Sequence, residues 1–229
     1  MRSIWRTLTP SLHRDTLAMA GAIGVIGVSF GAIAVASGLD WWMPSALSVL
    51  VFAGGSQFMV VGVVAAGGGL VAAVAGALVL NARHLPFGLA LGDIMGRGFL
   101  SRAVGSHLLI DESVAFAMAQ KDDPERARAV FWFLGTCAFV VWNLGTIVGA
   151  AAGQVIADTD AFGLDAAFPA GLLALVLPSL RNPRTRNAAL LGAAVALAAT
   201  PFLPAGVPVL LALVGLVALV PAPREQVPA

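Results

Sequence analysis

From Phe52 to Leu91 the chain runs FAGGSQFMVVGVVAAGGGLVAAVAGALVLNARHLPFGLAL, a stretch in which only Arg83 and His84 are ionisable. A soluble domain has no interior large enough to hide such a run, whereas a lipid bilayer accommodates it readily. Ser56 and Gln57 follow a glycine pair, Gly54-Gly55, and Asn81, Arg83 and His84 stand just ahead of Pro86. A polar group left unbonded in hydrocarbon costs several kcal/mol, so polar residues retained in this stretch are expected to be used. The stretch is the candidate working site.

The rest of the chain has the same character. Hydrophobic residues make up 59% of it and charged residues 11%, with a mean hydropathy of +0.92. These values define a polytopic membrane protein. A net charge of +1 supplies no basic field, and there is no Lys/Arg run with interleaved aromatics, so nucleic acid is excluded as a partner. The single cysteine, Cys137, lies in the apolar run FWFLGTCAFVVW and reads as a small core side chain. Arg2, Arg6 and Arg14 precede a run ending in Ala34-Val35-Ala36, which imitates a cleavable signal peptide. The run Leu17 to Ser37 exceeds an h-region of roughly 7 to 15 residues and matches the ~20 that span a bilayer, so it is expected to be an uncleaved first span.

In that span Gly24, Gly27 and Gly31 allow another helix to approach closely. The arginines before it place the N-terminus in the cytoplasm, and Trp41-Trp42 after it suit the far interface. A second span is expected from Pro44 toward Ala66, interrupted at Gly54-Gly55-Ser56-Gln57, about 15 Å in at ~1.5 Å per residue and so near the bilayer midplane. Gly67-Gly68-Gly69 turns the chain into a third apolar stretch, Leu70 to Leu91. Between Asp93 and Arg128 charges are frequent, and Leu100 to Met118 reads as a polar-faced membrane helix, a re-entrant hairpin or an amphipathic surface helix. Asp123 and Pro124 form a helix start, and Ala129 to Val155 is long enough to cross. An external loop, Ala157 to Asp165, leads to the run Ala166 to Leu180. Arg181, Arg184 and Arg186 mark a cytoplasmic loop, followed by two short spans, Ala188 to Thr200 and Val207 to Val220.

An internal repeat is visible. Gly38-Leu-Asp-Trp-Trp-Met-Pro and Gly163-Leu-Asp-Ala-Ala-Phe-Pro share G-L-D-x-x-[MF]-P, and each precedes an apolar segment broken about ten residues later, at Gly54-Gly55-Ser56 and at Pro178-Ser179. Interrupted segments at matching positions of two halves point to a transporter's binding site. The arginine bias gives a parallel repeat with an even number of crossings between the copies. If Leu100 to Met118 does not cross, the count becomes odd and the repeat inverted. The reading is therefore an all-α polytopic membrane protein of seven or eight membrane helices, with discontinuous helices and an internal repeat. It forms one integral membrane transport domain over residues 1–229, with repeat halves 15–128 and 129–221.

Gly54, Gly55, Ser56, Gln57, Asn81 and Pro169 are the expected substrate-binding residues, because half-helix starts and freed backbone groups suit a zwitterion's carboxylate. On a continuous helix Asn81, His84 and Gly88 share a face while Arg83 points away. Histidine as a residue type changes charge near neutral pH, so His84 is the natural proton-coupling candidate if transport uses the proton gradient, with Asp111 and Glu112 as further candidates. Those two carboxyls are adjacent and so face differently, which argues against a paired acid/base device, although one is free to pair with Arg83 or Arg102. Asp40 and Asp165 are expected to cap the helices near Pro44 and Pro169. No metal-ligand spacing and no H-E-x-x-H, Walker A, G-x-S-x-G or C-x-x-C pattern is present, so neither a cofactor nor an enzymatic role is expected.

F-A-G-G-S-Q-F at Phe52 to Phe58, L-N-A-R-H-L-P-F-G-L at Leu80 to Leu89, D-E-S-V-A-F-A at Asp111 to Ala117 and F-G-L-D-A-A-F-P-A at Phe162 to Ala170 resemble the AzlC-like family, the large subunit of bacterial branched-chain amino acid exporters. The resemblance covers nearly the whole chain in order. It implies a secondary exporter of small apolar amino acids in the bacterial inner membrane, working with a small AzlD-like membrane subunit, and proton exchange is the expected coupling. An uncoupled channel or permease for small solutes, or a non-transporting membrane subunit, is the alternative.

Overall fold

The computed structural model describes residues 7–155, 173, 177, 179–204 and 206–219, and among these every regular element is helical. Two long helices form its axis. Helix α1, Pro10–Ala36, starts where the Thr9 hydroxyl accepts from the Leu12 N–H at 3.3 Å and Pro10 occupies the first turn. Helix α8, Pro124–Gly153, starts in the same way: Asp123 Oδ1 accepts from the Arg126 N–H at 3.1 Å, as the sequence predicts. Both are long and apolar enough to cross a membrane.

The expected close approach at Gly24, Gly27 and Gly31 is to α8, which answers with Gly145, Gly149 and Gly153. A Cβ on Gly27 would fall 2.8 Å from the Trp142 carbonyl oxygen, and one on Gly149 would overlap the Val28 carbonyl. Backbone thus lies on backbone, the arrangement small residues permit between membrane helices. The contacts advance in step, with Gly24 on Val141 and Gly145, Val28 on Gly149, and Ala32 on Gly153. The two helices are therefore parallel.

Six shorter helices lie between them in sequence: α2 Met43–Leu50, α3 Gly54–Ala65, α4 Leu70–Asn81, α5 His84–Met95, α6 Phe99–His107 and α7 Asp111–Met118. Helix α2 runs back along α8. The Ser48 hydroxyl meets that of Thr146 at 3.4 Å, and just past the helix the Phe52 ring lies 5.2 Å from Phe139. Helix α3 then reverses, with Gly54 against Trp142 and the Phe58 ring 5.2 Å from Phe30, nearer the C-terminal end of α1. The pair is a hairpin that enters from the end where α1 and α8 finish and turns at Val51–Ala53.

Helix α4 is antiparallel to α3, with Gly76 on Met59 and Leu80 on Gly55. After a 45° bend α5 carries the chain to the opposite end, where Leu91 and Met95 are buried with Leu8, Ala129 and Val130. Gly96, at φ 106°, ends it there, beside the Arg128 guanidinium. From this end α6 climbs past Met95, which packs on Gly105, until the His107 ring stands 5.5 Å from Phe139. Helix α7 descends again to bury Val114 and Ala117 with Ala129 and Val130. The second hairpin thus enters from the end opposite to the first, and both turn near the middle of the α1/α8 pair.

Of the three readings of Leu100 to Met118, the re-entrant hairpin is the one found. The expected second span, Pro44 to Ala66, is a hairpin too, because Val51 and Ala53 leave helical geometry (φ −129°, ψ 79° and φ −153°, ψ 87°) and redirect the chain before the glycines. Leu70 to Leu91 falls within one bent pair, Leu70–Asn81 with His84–Met95, so among the described residues two helices are long and apolar enough to cross, three if the bent pair is one span, and the expected seven or eight are not reached there. With neither hairpin crossing, the bent pair carries the chain from the end of α1 to the start of α8, in keeping with their parallel contacts. Asp40 does not cap α2 with its side chain; only its carbonyl accepts, from the Met43 N–H at 2.9 Å.

After a short 3-10 turn at Ser179–Arg181, α9, Pro183–Ala199, begins where Asn182 Oδ1 accepts from the Arg184 N–H at 2.9 Å. The expected loop carrying Arg184 and Arg186 is thus the first turn of a helix. Helix α10, Val207–Leu211, continues as 3-10 helix over Ala212–Leu219 and packs on α9 through Gly192 and Gly215. Gly206, at φ 91°, lies against Val63 and Ala72 and so joins this pair to the α3–α4 turn. Pro169, Asp165, Pro178 and the second copy of the repeat lie outside the described residues. Val71, Leu89 and Phe99 are 85%, 88% and 88% exposed, an apolar outer surface of the kind a lipid bilayer covers favourably.

Candidate functional site

The turn of each hairpin and the bend of the third span meet at one level. Between them is a cavity of about 80 Å³, several times the ~10–15 Å³ that holds one water molecule. Ile23, at the midpoint of α1, and Ile26 form one wall with Phe52, Phe58 and Trp142. Phe30 fixes this wall from behind, stacked on Trp142 at 5.7 Å. Opposite stand Arg83, His84, Asp111 and Glu112, with Gly54 and Gly55 along the edge.

The polar side comes from helix starts. Helices α3, α5 and α7 begin at Gly54, His84 and Asp111, all of which border the cavity. First-turn N–H groups have no partner within their own helix, and the aligned peptide dipoles add partial positive charge there. Helices α3 and α5 begin with no side-chain cap. At α7 the Ser113 hydroxyl accepts from the Ile110 N–H at 3.0 Å and faces the Leu108 and Ile110 carbonyls at 3.1 and 3.0 Å, so this start is held internally.

Arg83 Nη2 bonds Asp111 Oδ2 at 2.9 Å, which ties the bent span to the second hairpin. The same nitrogen would lie 3.5 Å from a Cβ on Gly55, so the guanidinium rests over the start of α3. Its Nε is buried with no hydrogen-bond partner. His84 Nδ1 lies 3.0 Å from the Asn81 carbonyl oxygen. A carbonyl only accepts, so Nδ1 is the donor in this contact and Nε2 is the ring nitrogen it leaves unengaged. Asn81 Oδ1 is buried and unpartnered.

Gly54, Gly55, His84, Asp111 and Glu112 thus border one cavity. Ser56 and Gln57 lie next to it in sequence but are turned into the fold. The Ser56 hydroxyl donates to the Ala53 carbonyl at 2.9 Å. Gln57 Nε2 donates to the carbonyls of Leu47 at 3.1 Å and Val51 at 2.5 Å, at the end of α2, while its Oε1 is buried without a partner. Asn81 supplies its carbonyl to His84.

Two expectations fail on geometry. The helix does not continue from Asn81 to His84, so the phase that turned Arg83 away does not apply, and Arg83 faces the cavity. Asp111 and Glu112, although adjacent, both border the cavity because they open a helix at its rim rather than lie within one. Trp142 carries no site signal in sequence. An aromatic at the centre of an apolar run, four residues before Thr146 on the glycine face, is the trace that could have found it.

Such an architecture, continuous and bent apolar spans around a largely apolar cavity with a few charged groups, is that of a helical membrane protein and is consistent with a membrane transport role. The chain belongs to the AzlC family: residues 18–156 match the family model described as AzlC protein. It is 28% identical over 173 residues to a protein of Escherichia coli strain K12 named inner membrane protein YgaZ, covering 73% of this chain and 67% of that one. It is 23% identical over 175 residues to an uncharacterized membrane protein of Helicobacter pylori strain 26695, covering 75% of each. No solved structure matches.

Proposed function

We propose that this chain is the substrate-binding, membrane-spanning component of a secondary exporter of branched-chain or other small apolar amino acids across the bacterial inner membrane. One observation carries the reading: a mid-depth cavity whose Arg83–Asp111 ion pair faces an apolar wall of Ile23, Ile26, Phe52, Phe58 and Trp142. Pockets that pair a few polar groups with an apolar lining take ligands of the same dual character. An amino acid with an aliphatic side chain has that character. The uncapped start of α3 at Gly54-Gly55 favours its carboxylate. His84, through Nε2, and Glu112 are the groups that exchange protons with the substrate's passage, and a small AzlD-like subunit completes the exporter. Pro169 remains a proposed substrate-binding residue from the sequence pattern.

The test is efflux of labelled leucine from vesicles containing the purified chain, with and without a small companion subunit, under an imposed pH gradient. Efflux that follows the gradient in wild type and loses that dependence in His84→Gln is the expected result. Flux that ignores the gradient in wild type points to an uncoupled permease. No flux of any apolar amino acid in either preparation overturns the reading.

A further inference from the structure

We propose that the Arg83–Asp111 ion pair is the recognition element for a zwitterion: the substrate enters by exchanging partners with it, its carboxylate taking Arg83 and its ammonium taking Asp111. This rests on the amino-acid reading above and adds to it which groups bind and what they exclude.

The two residues are held by different elements. Arg83 sits at the bend between α4 and α5, Asp111 at the tip of the second hairpin, and they touch by one contact, Nη2 to Oδ2 at 2.9 Å. Both side chains border the cavity and are about one-third exposed, 36% and 32%, so a solute in the cavity reaches both. A guanidinium carries five N–H donors in a planar fork suited to a carboxylate. The Asp111 contact engages one end of that fork, and the buried Nε has no partner. Nη2 carries two N–H groups and gives one to Asp111, so its second is a donor to spare at the start of α3, where Gly55 lacks a side chain that would crowd it.

The exchange conserves charge. A cation and an anion that compensate each other are each passed to the opposite charge on the incoming molecule, so no unpaired charge is created at mid-depth, where one would be very costly. An α-amino acid carries both charges on a single carbon, which lets it bridge two side chains that were in contact a moment before. A molecule with only one of the two charges would strand either Arg83 or Asp111. The pair thus selects against amines and carboxylic acids by the cost of the partner left behind.

The test is competition against leucine counterflow in vesicles by leucinamide, which lacks the carboxylate, and by N-acetylleucine, which lacks the ammonium. Loss of a charged hydrogen bond with its partner left unpaired predicts that each competes about ten- to a hundredfold more weakly than leucine. Asp111→Asn should remove the discrimination against N-acetylleucine while keeping that against leucinamide, and Arg83→Gln should do the reverse. Arg83→Lys, which keeps the charge without the fork, should transport leucine with a raised half-saturation concentration. Wild-type competition by either analogue as strong as by leucine overturns the exchange while the exporter reading stands. So does a loss of transport in the variants with unrelaxed selectivity, which would make the pair a structural tie. Absence of counterflow with every apolar amino acid overturns both.

Discussion

Gln57 is 1% exposed, and its amide nitrogen adds a second donor to two carbonyls at the end of α2: that of Leu47, which also accepts from the Val51 N–H, and that of Val51, which also accepts from the Ala53 N–H. Losing two buried side-chain hydrogen bonds at roughly 0.5–1.5 kcal/mol each, Gln57→Ala should lower the Tm of the detergent-solubilised protein by several degrees while the half-saturation concentration for leucine in the folded fraction is unchanged. Unchanged Tm with a raised half-saturation concentration would instead make the amide a substrate ligand. At this scale much of the site was legible, because polar residues in apolar runs are costly and therefore informative: Gly54, Gly55, His84, Asp111 and Glu112 all border the cavity. Arg83 was misplaced for a definite reason. Assigning a face by 100° per residue presumes one helix, and the chain breaks between Asn81 and His84. Gln57 and Ser56 were legible as buried polar groups, but sequence does not distinguish a side chain that holds a ligand from one that holds a break open.

Among the elements, α1 and α8 were readable because length, apolarity and glycine spacing agree. The hairpins were not, since an apolar segment of 8 to 12 residues looks the same whether the chain continues through the membrane or turns back. The backbone contact between α1 and α8 leaves no room for either to slide past the other. A Cβ on Gly24 would lie 3.3 Å from that of Val141, close to the ~3.5–4.5 Å found across disulfides. In a Cys137→Ser background, Gly24→Cys with Val141→Cys should therefore form a disulfide on mild oxidation, and leucine transport should persist in the oxidised form. Inactivation that a reductant reverses would mean that the two helices must part during transport.

For the whole molecule, parallel α1 and α8 end on the same side. Single cysteines placed at Ser37 and at Gln154, the residues that end the two helices, should react with a membrane-impermeant thiol reagent from the same face of intact cells. Labelling from opposite faces would contradict the parallel arrangement. From the arginine-rich N-terminus we propose that this face is the external one. Because the two hairpins approach from opposite ends and stop at the same depth, the cavity between their tips is covered toward each side of the membrane by a different short helical pair. Each cover is about half the ~30 Å hydrocarbon core in depth. Retracting one hairpin would open a path to one compartment without disturbing the barrier toward the other, so if the chain transports as proposed, its central site would face either side by the movement of one hairpin while the parallel pair at its axis stays in place.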